Sequence, residues 1–240
     1  NYPDKPIRII TGTAGGGSDI AARILVQGIP GPLGQPVVVD NRSTVLAIDA
    51  VSKAPPDGYS VLVLGGSVWI TPLLQKTTWD GARDFAPISI LAREANLIAV
   101  HPSMPIKSVN DLIALAKARP GELNYGTGAT GAPSHLGGEL FKSMTGVNLV
   151  RVPYKGNTFA LIAQLGGEIQ LTFGALTEAM PHVKGNRLRA LAVTSLEPSV
   201  LAPGVPTVAV GSSTLRTSVI WQIGHWPGLS ETICGCIGQW

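Results

Sequence analysis

The residues best suited to binding chemistry are glycines, which follow a short β-branched run and precede a helix-like pattern. The first such segment is Gly-Gly-Gly-Ser-Asp at residues 15–19. Ile20, Ile24 and Leu25 recur at helical spacing after it, which predicts one buried helix face, and Ser18 is the predicted N-cap. A strand, a glycine turn and a helix N-terminus direct backbone N–H groups and partial positive charge at one point. The segment therefore predicts an anion-binding loop, although plain βα turns that bind nothing have the same composition.

Two nucleotide-binding motifs fail on spacing in this segment. A dinucleotide fingerprint starting at Gly15 would need its third glycine at position 20, where Ile20 stands. A phosphate loop starting at Gly12 would need lysine at position 18, where Ser18 stands. The sequence gives no indication of a nucleotide.

A second glycine-rich segment repeats the arrangement in the other half of the chain. Residues 123–125 predict a short strand, residues 126–131 form a glycine loop, and Pro133 suits the first turn of a new helix. Each half thus offers a helix N-terminus behind a glycine loop. We expect both loops to contribute to the binding of one anionic ligand.

Metal and catalytic motifs are weak by comparison. His135 and Glu139 are four residues apart on one predicted helix face, but no H-E-x-x-H motif is present. The pair Cys234 and Cys236 does not have the spacing of a redox or four-ligand zinc motif. No metal and no cofactor are predicted.

A nucleophile has no clear candidate either. G-x-S-x-G is absent, and adjacent residues on a helix, such as Ser134 and His135, point apart. An enzyme using Ser134, His135 or His182 on a small acid is kept as a less favoured alternative.

Composition sets the remaining bounds. Hydrophobic residues make up 45% of the 240 and charged residues 14%, while the formal net charge is only +3, without a basic cluster. Nucleic acid is therefore not expected as a partner. The apolar runs are shorter than the roughly 20 residues of a membrane span. β and α patterns alternate throughout, which predicts an α/β fold.

The sequence also predicts individual strands, a helix and a hinge. Residues 37–39 predict a buried strand, and residues 88–100 a single extended apolar run. The prolines at residues 101–105 predict a hinge between two lobes. A later helix is expected to carry Phe159, Ile162 and Leu165.

The chain also resembles a known family through many short collinear motifs. These are YPDKPIR at residues 2–8, the triple glycine with Ser-Asp, LGQPVVV at 33–39, NR at 41–42, PDGY at 56–59, LNYG at 123–126, GELF at 138–141, VPYKG at 152–156, LRALAVT at 188–194 and VPTVA at 205–209. Together they resemble the Bug-type solute-binding proteins of tripartite tricarboxylate transporters. Residues 219–221 are expected to form the return strand to lobe one. Gly174 stands where many relatives carry an aspartate suited to an amino group, which favours a plain carboxylic acid.

The resemblance implies a periplasmic two-lobed clamshell, each lobe a mostly parallel sheet flanked by helices. Lobe one is expected at residues 1–100 with a return segment at 210–240, lobe two at 101–209, and the ligand cleft between them. The implied ligand-binding residues are Gly15, Gly16, Gly17, Ser18, Asp19, Gly65, Gly66, Ser67, Thr127, Gly128, Ala129, Thr130, Gly131, Ser134, His135, Lys155, Gly156 and Asn157.

The implied function is capture of a small organic carboxylate for membrane transporter subunits, by a monomer that is not an enzyme. A ligand-sensing co-receptor remains an alternative. The implied compartment is the bacterial periplasm, with residue 1 following signal-peptide removal.

Overall fold

A computed structural model describes residues 2–208 and the backbone of residues 235–238. The described chain forms two compact units. The first contains residues 2–93 and 129–132 with one strand from the C-terminal region, and the second contains residues 94–128 and 133–208. Within these residues, no helix is long and apolar enough to span a bilayer.

The first unit is built on a five-stranded sheet. Its elements, numbered in chain order, are β1 (Ile7–Thr11), α1 (Gly17–Gly28), α2 (Pro30–Leu33), β2 (Val37–Asn41), α3 (Thr44–Ser52), β3 (Ser60–Leu64), α4 (Ser67–Leu74), β4 (Ala86–Ile90) and β10 (Gly235–Gly238). The strand order is β2-β1-β3-β10-β4. Only β10 runs against its neighbours, so the sheet is mostly parallel.

The second unit repeats this strand order with its own elements. They are β5 (Asn96–Val100), α5 (Val109–Ala118), β6 (Asn124–Thr127), α6 (Pro133–Thr145), β7 (Val150–Pro153), α7 (Asn157–Leu165), β8 (Leu171–Ala175), α8 (Leu176–Lys184) and β9 (Arg189–Val193). The order is β7-β6-β8-β5-β9, and only β5 is antiparallel to its neighbours. In each unit the reversed strand thus occupies the fourth place in the sheet.

Each sheet buries both of its faces, as strand periodicity requires. Ile9 packs with Ala22 of α1, whereas its neighbour Ile10 packs with Ile48 of α3. β1 could be predicted from its β-branched run, of which Ile9, Ile10 and Thr11 are buried, whereas Arg8 is exposed.

Two predictions about single elements are wrong. Residues 37–39 are not a buried strand, because β2 lies at the sheet edge and Val38 is half exposed. Residues 88–100 form two strands, β4 and β5, which belong to different sheets. The helix predicted to carry Phe159, Ile162 and Leu165 is confirmed as α7, which buries its alanine-rich face and leaves Phe159 and Ile162 about half exposed.

The division into units also differs from the predicted boundary after residue 100. The second unit begins at Glu94, because β5 pairs with β8 and β9. The proline segment 101–105 consequently lies inside the second unit, where Arg189 Nη1 donates to the Met104 carbonyl at 2.9 Å. The return strand predicted at residues 219–221 lies outside the described residues.

Candidate functional site

The first glycine loop connects β1 to α1, and its helix begins earlier than predicted. α1 starts at Gly17, and Gly16 holds the N-cap position in an extended conformation with no side chain to accept a hydrogen bond. The prediction of Ser18 as N-cap is therefore wrong. The first intrahelical bond runs from the Ile20 N–H to the Gly16 carbonyl, so the amides of residues 17–19 precede the helical ladder.

Asp19 was predicted to contact the ligand, but its carboxylate is buried and bonded within the loop. Oδ2 accepts from the Gly15 N–H at 2.8 Å and from Arg23 Nε at 3.0 Å. Oδ1 accepts from Asn41 Nδ2 at 2.9 Å. Burial alone would raise the pKa of Asp19, but the hydrogen bonds from Arg23, Gly15 and Asn41 outweigh it and hold the pKa below its ordinary value.

Asn41 lies beside the first glycine loop and was not among the predicted ligand-binding residues. The parallel register places it beside Thr11, at the carboxyl end of the neighbouring strand. Its Nδ2 also donates to the Gly12 carbonyl at 2.9 Å. The sequence feature that could have identified Asn41 is a polar residue at the carboxyl end of β2, the strand beside β1, because ligands of α/β sheets bind at this edge.

The second predicted segment of the first unit follows β3. Gly66 and Ser67 are buried, and Ser67 is the first residue of α4. Because β1 and β3 are parallel neighbours, residues 15–19 and 65–67 leave the same edge of the first sheet. Ligands of α/β sheets bind at this carboxyl edge.

The predicted loop at residues 127–131 is divided between the units. Thr127 and Gly128 belong to the second unit, whereas residues 129–132 belong to the first. In the first unit Thr71 Oγ1 donates to the Thr130 carbonyl at 3.0 Å. Thr71, on α4, was not predicted.

In the second unit, Gly128 is bonded to the start of α6. Its N–H donates to Ser134 Oγ at 3.0 Å. Thr127 Oγ1 donates to the Gly128 carbonyl and accepts from Arg151 Nε, both at 3.0 Å. The hydroxyls of Thr127 and Ser134 therefore hold the loop in place. Arg151 of β7 places a positive charge beside the loop, and this residue was not predicted.

His135 follows Ser134 on α6 and is partly buried. Burial lowers its pKa, and the nearby positive charge of Arg151 lowers it further, against the opposing effect of Glu139. A neutral imidazole is favoured at pH 7 by this environment.

Beneath α6, Tyr125 donates a short hydrogen bond to Glu139 Oε1, and Lys142 Nζ lies 3.0 Å from the same oxygen. Burial, followed by the hydrogen bond to Glu139, raises the pKa of Tyr125. Burial opposes ionisation of Glu139, but the bonds from Tyr125 and Lys142 hold its pKa below the ordinary value.

The last predicted group follows β7. Lys155 is exposed, Gly156 is the N-cap of α7, and Asn157 is the first helical residue. Asn157 Nδ2 donates to Glu178 Oε2 at 2.9 Å. Since β7 is parallel to β6, residues 155–157 and Gly128 leave the same edge of the second sheet.

These loops carry backbone N–H groups and hydroxyls, which are groups that can donate hydrogen bonds to an anion. Among residues 2–208, no group of three histidine, cysteine or acidic side chains could hold a metal ion. Ser134 Oγ is engaged with the Gly128 N–H.

Comparison with known proteins identifies the family. The family model described as "Tripartite tricarboxylate transporter family receptor" matches residues 21–224. The chain belongs to this family. Its predicted recognition as a Bug-type solute-binding protein, and not an enzyme, is confirmed.

Individual relatives agree with this membership. BugT of Bordetella pertussis is 35% identical over 215 residues, which cover 87% of this chain and 66% of BugT. A protein encoded in the gbd 5' region of Cupriavidus necator is 35% identical over 222 residues, or 90% of this chain and 68% of that protein. The chain thus spans about two thirds of the length of these relatives.

Solved structures confirm the fold class as that of periplasmic binding proteins. R. palustris Rpa4515 with adipate superposes with a TM-score of 0.86 at 34% identity, covering 100% of this chain and 78% of Rpa4515. The periplasmic binding protein BugD gives a TM-score of 0.85 at 26% identity, covering 99% of this chain and 77% of BugD.

Proposed function

We propose that this protein captures a small organic carboxylate and delivers it to membrane transporter subunits. The observation that carries the proposal is the match of the tripartite tricarboxylate transporter receptor family over residues 21–224. Rpa4515, which is 34% identical, is described with adipate, a dicarboxylate without an amino group. Adipate is therefore the first ligand to test.

Residues of the glycine loops and their neighbours are the proposed contacts, and of these the N–H groups of Gly15, Gly16 and Gly128 are already bonded within the protein. The proposed contacts in the first unit are Gly15, Gly16, Gly17, Ser18, Gly65, Gly66, Ser67, Ala129, Thr130 and Gly131. Those in the second unit are Thr127, Gly128, Ser134, His135, Lys155, Gly156 and Asn157. Hydrogen bonds to a charged group each contribute about 1.5–3 kcal/mol, so a few of them suffice for micromolar affinity.

The ligand class that we propose is a plain carboxylic acid. Gly174, buried at the end of β8, has no carboxylate to pair with an ammonium group. A Cβ at this position would lie 2.9 Å from Asn157 Nδ2, so the Asn157 amide occupies the space that a larger residue would need. An amino acid would find no acidic partner at residue 174.

Binding proteins of this family are periplasmic, and we propose the bacterial periplasm for this chain, as a monomer. A tripartite tricarboxylate-type transporter is the proposed partner.

A thermal-shift panel tests the ligand class. Adipate, malate, tricarboxylates, nicotinate and aromatic acids are each compared with the corresponding amide, which keeps the carbon skeleton but lacks the charge. We expect at least one acid to raise the melting temperature and its amide to have no effect, because a ligand that binds only the native state stabilises it. If glutamate or aspartate stabilises the protein and the plain acids do not, the proposed class is wrong.

A further inference from the structure

The first glycine loop is bonded at two points by one pair of side chains. Asp19 Oδ2 accepts from the Gly15 N–H at 2.8 Å, and Asn41 Nδ2 donates to the Gly12 carbonyl at 2.9 Å. The two side chains are joined by the Asn41 Nδ2 bond to Asp19 Oδ1, also at 2.9 Å. The backbone from Gly12 to Gly15 is therefore tied to β2 and to α1 by a continuous set of hydrogen bonds.

Gly15 has a backbone conformation that these hydrogen bonds help to maintain. Its φ is +77°, the left-handed region that L-residues with a side chain rarely adopt. A glycine has many alternative conformations, so a bond to its N–H reduces the number that the loop can sample. The charged acceptor makes this a stronger bond than one to a neutral group.

The charge of Asp19 argues against direct contact with an anionic ligand. Its carboxylate already lies in the first turn of α1, where the helix dipole favours a negative charge. Arg23 Nε lies 3.0 Å from the carboxylate and offsets that charge. A ligand carboxylate placed against Asp19 would meet like charge, which raises the free energy of both ionised groups.

We propose that Asp19 is a positioning residue, which holds Gly15 and the first glycine loop in the conformation that binds the carboxylate without touching the ligand itself. Asn41, which donates to the Gly12 carbonyl and to Asp19, is the second positioning residue. The inference rests on the proposed function, since it assigns a role in carboxylate capture. It replaces the direct contact that the sequence predicted for Asp19.

Asp19→Asn tests the proposal in a binding titration with adipate. Asparagine has one acceptor oxygen and turns an NH₂ group toward the donors, so at least one of the bonds to Gly15, Asn41 and Arg23 is lost. We expect the adipate Kd to rise about tenfold or more, because a loop that is no longer preorganised must be ordered on binding. Unchanged or tighter binding would overturn the proposal, and tighter binding would place the Asp19 charge beside the ligand.

Asp49→Asn is the matched control. Asp49 also lies on a helix of the first unit, 2.7 Å from a basic residue one turn later, Lys53. It is outside the loop, and we expect an adipate Kd within about twofold of the unsubstituted protein. An equal loss in both variants would show a general effect of removing an acidic charge and would contradict the proposal.

The Gly15 amide resonance gives a second measurement that needs no ligand. In the unsubstituted protein we expect the Gly15 amide proton far downfield, as a charge-assisted hydrogen bond requires, and an upfield shift in Asp19→Asn but not in Asp49→Asn. An unmoved resonance would contradict the positioning bond. If the unsubstituted protein binds no acid, the proposed function fails, while this resonance still decides whether Asp19 holds the loop.

Asn41→Ala serves if Asp19→Asn does not fold. It removes the bonds to Gly12 and Asp19 from the other side, and we expect a weaker Kd in the same direction. Where Asp19→Asn folds, the double variant should lose less affinity than the sum of the two single losses, because both residues act through one network. If the losses in binding free energy of the two single variants add fully in the double variant, the two residues do not act through one network, and the proposal is contradicted.

Discussion

The Gly128 N–H donates to Ser134 Oγ at 3.0 Å, so the second glycine loop is bonded to the helix that follows it. The first loop has the same feature, since the Gly15 N–H donates to Asp19. Both glycine amides are therefore engaged within the protein. In each unit, a side chain from the first turn of the helix fixes the loop.

Ser134→Ala is expected to destabilise the protein, because it leaves the buried Gly128 N–H without its acceptor. The expected loss in the free energy of unfolding is about 1–3 kcal/mol. Urea denaturation measures it. Ser143→Ala is the control, because Ser143 is exposed on the same helix. A loss in Ser134→Ala no larger than in the control would contradict the role of this bond.

Gly138→Ala tests how closely α6 packs on β6. A Cβ at Gly138 would lie 2.2 Å from Tyr125 Cε2, and Tyr125 is fully buried. Overpacking of this kind costs about 1–3 kcal/mol. At the adjacent Gly137 the nearest atom to a Cβ, in Phe173, is 3.6 Å away, so Gly137→Ala should be neutral or slightly stabilising. Equal unfolding midpoints for the two variants would show that the helix shifts without penalty.

Glu139 predicts a dependence of stability on pH. Its pKa in the folded protein is lowered from the ordinary value of 4.5. The folded state therefore binds the proton less readily than the unfolded chain, and the stabilising contribution is present above 4.5 and lost as the pH falls through the folded pKa.

Glu139→Gln should therefore be less stable than the unsubstituted protein at pH 7, and the difference should shrink as the pH falls below about 4.5. Denaturation midpoints between pH 3 and 7 measure this. Glu122→Gln, at an exposed position outside the Tyr125 cluster, should change stability by less than about 0.5 kcal/mol at pH 7. A difference for Glu139→Gln that grows toward acid would contradict the sign.

Much of the fold could be predicted from sequence because its signals are local. Pro133 begins α6, as its suitability for the first turn of a helix predicted. β1 was predicted from the β-branched run that precedes the first glycine loop. Each of these depends on residues a few positions apart.

The errors arise where the answer depends on partners distant in sequence. Val38 belongs to an apolar run that is typical of a buried strand, but β2 is an edge strand. The order of strands in a sheet depends on pairing between residues that are distant in sequence. Ile24 completes a helical stripe with Ile20, yet it is 64% exposed, because α1 turns Asp19 and Ala22 inward. The buried Asp19 does not fit the hydrophobic pattern of α1, and its burial is explained by its hydrogen bonds to Gly15, Arg23 and Asn41.

The candidate site divides in the same way. The glycine segments were found because strand, glycine and helix signals are contiguous. The partner Asn41 was missed because it is 22 residues from Asp19, and Arg151 because it is 24 residues from Thr127. Parallel register brings both to the loops, and register was not predicted.

Isothermal titration of the protein with adipate tests the central claim of carboxylate capture most directly. We predict a saturable exchange of heat with one ligand per chain, a Kd of about micromolar order and no heat with adipamide, because the charge is what the amide and hydroxyl donors recognise. The same titration with malate and nicotinate covers other small acids. Absence of saturable heat with all the acids, or equal heat with adipate and adipamide, would contradict the account.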